Sequence, residues 1–166
     1  MNIMKKYMYM SLATALVSVF ALCFTACDDD EKDMTRPVIT DTGIVANPIN
    51  CQVYHRGEVI PFRYVFTDNV ELGNYNIEIH SNHDHHTHST EAVECEEHEH
   101  HEEVTPTNPW IYNQSFSIPA GSQSFSAQVD IPIPQDIDPG DYHFMIRVTD
   151  QAGNQEIKSV AIEIEE

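Results

Sequence analysis

The chain has 166 residues, enough for one domain and too few for two large ones. Its 27 acidic residues outnumber eight basic ones, and the formal net charge at pH 7 is −19. Such a surface repels a phosphate backbone and therefore excludes nucleic acid as a partner. It favours cations as ligands instead.

The first 26 residues are predicted to be a secretory signal peptide. Lys5 and Lys6 precede an apolar run at 9–24, which is shorter than the roughly 20 apolar residues of a membrane-spanning helix. The run ends in Phe24-Thr25-Ala26-Cys27, which resembles a bacterial lipobox. This resemblance implies that Cys27 is acylated and that its lipid anchors the mature protein in a membrane.

Residues 27–36 are acidic and end before Pro37, so we expect a solvated tether. The acidic run after Cys27 is also similar to the export signal of Bacteroidota surface lipoproteins. That similarity implies a lipid-anchored protein on the outer face of the outer membrane. A plain tether without an export role is the alternative.

Residues 37–166 alternate apolar and polar side chains between turn-forming residues, a pattern typical of β-strands. Pro61 places the start of the second strand at an edge or a bulge. Val160 is out of phase with Ile157, which suggests a bulge in the last strand. The pattern predicts one all-β, immunoglobulin-like sandwich of about seven strands, at 38–45, 59–67, 72–80, 110–118, 124–131, 141–149 and 156–164.

Two turns support this fold class. Pro139-Gly140-Asp141-Tyr142 places a tyrosine at the start of the sixth strand and resembles the tyrosine corner of immunoglobulin-like domains. Residues 148–154 resemble the last hairpin of bacterial immunoglobulin-like domains, with Ala152-Gly153-Asn154 tolerating a positive φ. Asp68 and Asp150 fall in turns at this end, where turn chemistry is a better explanation than a calcium site.

Residues 80–103 form a His/Glu-rich insertion in what we expect to be the C–D connection. A connection this long inside a compact domain is usually functional or disordered. Neutral imidazole is the commonest metal ligand and suits zinc, copper and nickel, whereas carboxylates complete or orient the ligand set. The alternative is a disordered tract with weak, incidental metal affinity.

Topology brings further histidines towards this insertion. His55 lies in the predicted A–B loop and His143 at the start of strand F, at the same end of the sandwich as His80. Strands C and F are antiparallel neighbours in this fold, so His80 and His143 are predicted to face outward side by side, with Cβ atoms about 5 Å apart. The predicted ligands of zinc or another divalent transition metal are His80, His83, His85, His86, His88 and His143, with Asp84 as a supplement and His55, His98, His100 and His101 as further candidates.

The mature chain keeps two cysteines besides Cys27. Cys51 and Cys95 are predicted to form a disulfide if the compartment is oxidising. Free thiols or ligands of a soft metal are the alternatives.

Several segments together resemble a known family. Phe66-Thr67-Asp68-Asn69, Ile77-Glu78-Ile79-His80 and Asp84-His85-His86-Thr87-His88 are similar to a Bacteroidota lipoprotein family, domain of unknown function 4625. The closing segments at 140–144 and 149–154 are similar to it too. The resemblance covers the chain from about Pro37 onward. It implies an immunoglobulin-like fold and a surface lipoprotein, and it brings no activity.

The sequence therefore predicts an outer-membrane surface lipoprotein that binds a divalent transition metal, zinc foremost, for acquisition, buffering or sensing. The alternative is an adhesion or accessory module that presents its loops to a glycan, an outer-membrane transporter or another envelope protein. An enzyme is not expected, because the chain has neither an H-E-x-x-H helix nor a G-x-S-x-G motif. A domain of this size also leaves little room for a deep pocket.

Overall fold

The computed structural model describes residues 32–82 and 106–166. Every regular element in these two ranges is a β-strand. The strands are β1 (Val38–Thr40), β2 (Gln52–His55), β3 (Val59–Thr67), β4 (Leu72–Ser81), β5 (Tyr112–Ser117), β6 (Ser124–Pro132), β7 (Gly140–Asp150) and β8 (Gln155–Glu165). Within the described ranges there is no helix of the length and hydrophobicity needed to cross a membrane.

The strands form two sheets. One has the order β1-β3-β6 and the other has the order β2-β8-β7-β4-β5. All neighbours are antiparallel except β2 and β8, which run parallel. The sheets pack face to face, so the predicted all-β, immunoglobulin-like sandwich is confirmed.

The core lies between the two sheets and follows the predicted alternation. On β3 the inward side chains include Phe62, which is fully buried and stacks on Phe144 of β7 with ring centroids 5.8 Å apart. Burying each such side chain contributes roughly 1.5–3 kcal/mol. The other inward residues of β3, β4 and β7 are also at most 3% exposed: Ile60, Tyr64, Phe66, Tyr75, Ile77, Ile79, Tyr142, Ile146 and Val148.

The predicted C–D connection needs correction, because the strand after it stays in the same sheet. β5 pairs with β4, with Ile79 opposite Tyr112 and Asn74 opposite Ser117. A cross-strand hydrogen bond accompanies this pairing, since the Asn76 amide donates to Asn113 Oδ1 at 2.8 Å. The insertion therefore joins two neighbouring strands of one sheet instead of crossing to the other sheet. Residues 83–105 themselves lie outside the described ranges.

β2 is an eighth strand that the sequence did not predict. It has four residues, and only Tyr54 among them is buried, so it carries no readable alternation. The strand predicted at 38–45 is also shorter than expected. It ends at Thr40, and Val45 in the following loop is 90% exposed.

In the last strand, the expected bulge at Val160 and the expected inward position of Ile157 are wrong. Val160, Ile162 and Ile164 all face the core, and the register between β7 and β8 is continuous, so there is no bulge at Val160. Ile157 instead faces the outer side of the sheet. The inward positions before Val160 are occupied by the charged residues Glu156 and Lys158. The hydrophobic pattern therefore assigned Ile157 to the wrong face of the strand.

Pro61 lies at an edge, as the sequence predicted. β1 pairs with β3 only at positions 65–67, and Asn47 bridges to Arg63. Pro61 is on the same side of β3 as Arg63, but beyond the point where this pairing ends. Its missing N–H therefore costs no ladder hydrogen bond.

The predicted tyrosine corner is present at the start of β7. The Tyr142 hydroxyl donates to the Asp138 carbonyl oxygen at 2.7 Å and accepts from the Trp110 N–H at 3.1 Å. The ring of Tyr142 is fully buried. This hydroxyl therefore ties the segment before β5 to the turn before β7.

The predicted last hairpin is present at the opposite end of the sandwich. Gly153 has φ +93°, and Asn154 N–H donates to Asp150 Oδ1 at 2.7 Å. The Asn154 amide also donates to the carbonyl oxygens of Asp33 and Thr35, each at 3.1 Å. We call this the entry end, defined by Asp33, Asp68 and Asn154, because the domain begins there.

Candidate metal site

His80 and His143 lie side by side at the end of the sandwich opposite the entry end. They are directly paired across β4 and β7, and both project from the outer face of the five-stranded sheet. Their ring centroids are 5.5 Å apart, with an angle of 50° between the ring planes. The cross-strand neighbours that parity and topology predicted are therefore observed. We call them the histidine pair.

The histidine pair is largely shielded from water. His143 is 3% exposed and the His80 side chain is 22% exposed, although both are on the outer face of their sheet. The residue opposite His143 on β8 is Ala161.

Three carboxylates share this face of the sheet with the histidine pair. Glu78 is two residues before His80, and its Oε1 lies 3.3 Å from His80 Nδ1. Asp141 and Glu163 face each other across β7 and β8, next to His143 along the strands. Glu163 is only 7% exposed. The sequence analysis missed all three, although their outward parity on the predicted strands was the available signal.

His55 is not brought to the histidine pair. It lies on β2 opposite Glu165, whereas His143 is level with Ala161 on β8, four residues away. That offset is about 13 Å along the strands, and β2 is two strands from β7. His55 instead contacts Glu165 at 3.2 Å and Glu58 at 3.7 Å. The expectation that it gathers with the pair is corrected.

The remaining predicted site residues lie outside the described ranges. They are His83, Asp84, His85, His86, His88, His98, His100 and His101 for the metal, and Cys27 for the lipid. Cys51 is disulfide-bonded. It is the one cysteine within residues 32–82 and 106–166, so the partner lies outside them, and the pairing with Cys95 stays a prediction.

The entry end holds an acidic group. Carboxylate oxygens of Asp33, Asp68 and Asp150 lie within 4.8 Å of one another, the one such cluster of potential ligands in the part of the chain that is described. Asp68 Oδ1 accepts from the N–H groups of Val70 and Glu71, at 2.9 and 2.8 Å. Asp150 accepts from Asn154. These contacts are turn chemistry, as the sequence analysis favoured.

The same contacts affect the titration of Asp33. The Thr35 N–H donates to Asp33 Oδ1 at 2.9 Å, and the Asn69 amide donates to that oxygen at 3.1 Å. These hydrogen bonds, first from the Thr35 backbone and then from Asn69, lower the pKa of Asp33 below its ordinary value because they favour the ionised form. This carboxylate therefore helps to fix the N-terminal segment at the entry end.

A family model described as domain of unknown function 4625 matches residues 25–165. The chain belongs to the DUF4625 family. No curated protein matches this DUF4625 chain. Among solved structures it is similar to a GspB Siglec domain, with 21% sequence identity and a TM-score of 0.40 over 80% of this chain. The match spans 59% of that structure's length. A function for this DUF4625 member is therefore argued from its own residues.

Proposed function

We propose that the protein is a lipid-anchored protein of the bacterial outer-membrane surface that binds a divalent transition metal, with zinc as the favoured ion, for acquisition, buffering or sensing. The observation that carries the proposal is the histidine pair. Two imidazoles projecting from adjacent strands provide a rigid pair of nitrogen ligands, unlike two histidines on separate loops. The proposal is for a binding protein rather than an enzyme.

The spacing of the pair supports a shared cation. A zinc ion lies ~2.0–2.1 Å from each ligating nitrogen, so two imidazoles on one tetrahedral ion have centroids about 5 Å apart. The observed separation is 5.5 Å. Small changes in the side-chain torsions are enough to close the remaining difference. This separation of the two rings supports the proposed zinc site.

Glu78 supports the proposal by orienting one ligand. Its Oε1 lies 3.3 Å from His80 Nδ1 as an ion-pair contact, and in the proposed site a small rotation would let it accept a hydrogen bond from that nitrogen. The other ring nitrogen, Nε2, then keeps its lone pair for the metal. Carboxylate–histidine–metal arrangements of this kind fix the ring and raise its basicity. Glu78 is thus a positioning residue in the proposed site.

The histidines of residues 83–101 add ligands in this proposal. Zinc sites need three or four ligands, whereas the insertion offers more than that. The excess suits a protein that collects a cation from a dilute solution and delivers it to one ordered site. The lipid at Cys27 would be separated by few residues from the entry end, which is opposite the histidine pair. The pair would then face away from the membrane, towards the medium or an envelope partner.

Zinc titration of full-length protein in detergent, after tag removal, tests the proposal. We expect the double substitution His80→Gln, His143→Gln to weaken the tightest zinc site at least tenfold, since both rigid ligands are lost. The control is His55→Gln, which removes an exposed histidine that contacts only carboxylates and should change the affinity less than twofold.

Two results would contradict the proposal. One is wild-type protein that binds no zinc more tightly than a histidine-rich peptide of residues 83–101. The other is a double variant that folds and keeps wild-type affinity. Far-ultraviolet circular dichroism and the thermal midpoint of each variant establish that folding is retained.

A further inference from the structure

We infer that the outer face of β7 and β8 beside the histidine pair is the docking surface for residues 83–95 of the same chain, attached by a disulfide between Cys51 and Cys95. The inference deepens the proposed function and rests on it, because it takes Cys27 to be acylated and Cys23 to be removed with the signal peptide. It explains how the histidines of the insertion are brought to the pair.

Cys51 lies at the end of a row of residues that begins with the histidine pair. His80 on β4 is opposite His143 on β7, and His143 is opposite Ala161 on β8. The Cys51 N–H donates to the Ala161 carbonyl oxygen at 2.8 Å, so Cys51 is next in the row. Its disulfide therefore attaches another segment of the chain there. With the signal peptide removed and the lipidated cysteine blocked, Cys95 is the partner that the sequence offers.

The outer face of the sheet is buried around Ala161, although no strand of the described ranges packs on it. His143, Ser159 and Glu163 face or flank Ala161 and are at most 7% exposed. By contrast, Asn113 on β5, on the other side of β4, is exposed. Burial of polar and charged side chains requires partners, and both His143 and Glu163 have them. The cover therefore lies on the β8 side of β4 and comes from a segment other than the described strands.

The insertion begins at the other end of the row and is long enough to cross it. The N–H of Asn82, the last described residue before it, donates to the Asp141 carbonyl oxygen at 2.8 Å, so the chain leaves β4 beside β7. From His80 to Cys51 the row spans three strand spacings, roughly 14 Å. The chain from Asn82 to Cys95 reaches roughly 40 Å when it is extended. A short hairpin turn would suffice to join β4 to β5, so this length is not needed for the connection.

The chemistry of residues 83–88 fits this face. They contain four histidines and one aspartate. The face presents the carboxylates of Glu78, Asp141 and Glu163 around the histidine pair. An imidazole N–H donates to a carboxylate, which leaves the second ring nitrogen for a metal. Docking therefore places further imidazoles beside the pair and raises their effective concentration for a shared zinc ion.

Peptide mapping of the full-length lipidated protein, digested without reduction, tests the disulfide. We expect a peptide that contains Cys51 joined to one that contains Cys95, and a peptide of Cys27 that carries lipid. A bond from Cys51 to a second molecule would overturn the inference alone. A bond from Cys51 to Cys27 would overturn the inference and the proposed lipid anchor.

Carbethoxylation of histidines in metal-free protein, followed at each residue by mass spectrometry, tests the docking. His143 should react about fivefold faster or more in Cys95→Ser than in the wild type, because the attachment is lost. His55 is the control residue, since its side chain is 51% exposed on β2 and should react equally in both proteins. Replacement of residues 83–105 by a short Gly/Ser linker should expose His143 as well, and it serves if Cys95→Ser does not fold. Equal His143 rates in the wild type and the variants would overturn the inference.

Zinc titration of the same proteins separates the inference from the proposed function. Cys95→Ser should bind zinc about threefold more weakly or worse, since the imidazoles of residues 83–88 lose effective concentration while the histidine pair is kept. Unchanged zinc affinity together with an unchanged His143 rate overturns the inference and leaves the proposed function intact. A protected His143 in wild-type protein that binds no zinc supports the docking and overturns the metal-binding proposal.

Discussion

Tyr142 shows how much one hydroxyl group contributes in this sandwich. It donates to the Asp138 carbonyl oxygen and accepts from the Trp110 N–H, so it satisfies two backbone groups at once. The segment it fixes leads into β5, and the turn it fixes precedes His143. The residue that precedes His143 therefore holds the backbone on which the histidine pair is built.

We expect Tyr142→Phe to lower the free energy of unfolding by about 1–3 kcal/mol, because it removes the hydrogen bonds to the buried Trp110 N–H and to the Asp138 carbonyl oxygen. Tyr112→Phe is the control. Its hydroxyl donates to the exposed Gln114 side chain, so the expected change is below about 0.5 kcal/mol. Urea unfolding followed by tryptophan fluorescence measures both. Equal effects of the two substitutions would contradict the stabilising role assigned to the Tyr142 hydroxyl.

Among the strands, β4 has the position that its neighbours constrain most. It lies between β7 and β5, carries His80 at its C-terminal end and has an irregular register between Leu72 and Asn74. Gly73 occupies that irregularity. A Cβ atom there would lie 2.9 Å from the Thr149 carbonyl oxygen and 3.0 Å from that of Asp150. Because these neighbours are backbone atoms, they cannot move away as a flexible side chain would.

We therefore expect Gly73→Ala to destabilise the protein by about 1–3 kcal/mol through overpacking. Hydrogen exchange gives a local readout, since the Ile118 N–H donates to the Gly73 carbonyl oxygen at 3.1 Å and should exchange faster in the variant. Gly121→Ala is the comparison, because its added Cβ meets nothing within 4 Å. Its cost is limited to the left-handed φ of +76°, about 1 kcal/mol, and Ile118 protection should be unchanged.

The elements also show what sequence patterns can and cannot predict. β3 and β7 were predicted closely because uninterrupted alternation, as in Phe62 and Phe144, specifies both the strand and its inward face. β2 was not predicted, because a strand with one buried residue, Tyr54, shows no alternation of apolar and polar side chains. The pairing of β5 with β4, from Asn74 opposite Ser117 to Ile79 opposite Tyr112, is a long-range contact that the alternation within either strand does not contain.

The candidate site likewise contains features that the sequence predicted and features that it did not. Parity alone predicted that His80 and His143 share a face, and fold topology placed their strands together. The outward parity of Glu163 was readable from the sequence, but its position opposite Asp141 depends on the register of β8 against β7, which the pattern of one strand does not contain. His55 was predicted to lie beside the histidine pair because topology tells which end of the sandwich a loop occupies. It does not tell how far apart two residues lie across the sheet at that end.

At the scale of the whole molecule, buried tyrosines make the fold sensitive to alkali. Desolvation raises the pKa of Tyr54 and of Tyr64 from 10.0 to about 12, and it also raises the pKa of Tyr75 and Tyr142. A folded-state pKa above the unfolded value stabilises the native state below the unfolded pKa. That contribution is lost as the pH rises through the folded-state value.

The free energy of unfolding should therefore fall between about pH 10 and about pH 12. Urea unfolding at several pH values, with ultraviolet absorbance to follow tyrosinate formation, measures this. Tyr64→Phe is the matched variant. It removes one ionisable group and the hydrogen bond to the Pro48 carbonyl oxygen, so it is less stable at neutral pH and loses less stability in alkali. A free energy that stays constant across this range would contradict the prediction.

Glu156 and Lys158 have a consequence for how copies of this protein behave beside one another. β2 covers the edge of β8 only from Ile162 onward, so among the described strands nothing pairs with that edge before it. A bare strand edge is a template on which a neighbouring molecule can add its own strand and begin a fibre. Here an added strand would have to stack its inward side chains beside a carboxylate and an ammonium group. The charges of Glu156 and Lys158 interrupt the hydrophobic alternation of β8. They thus disfavour polymerisation by addition of a strand at this edge.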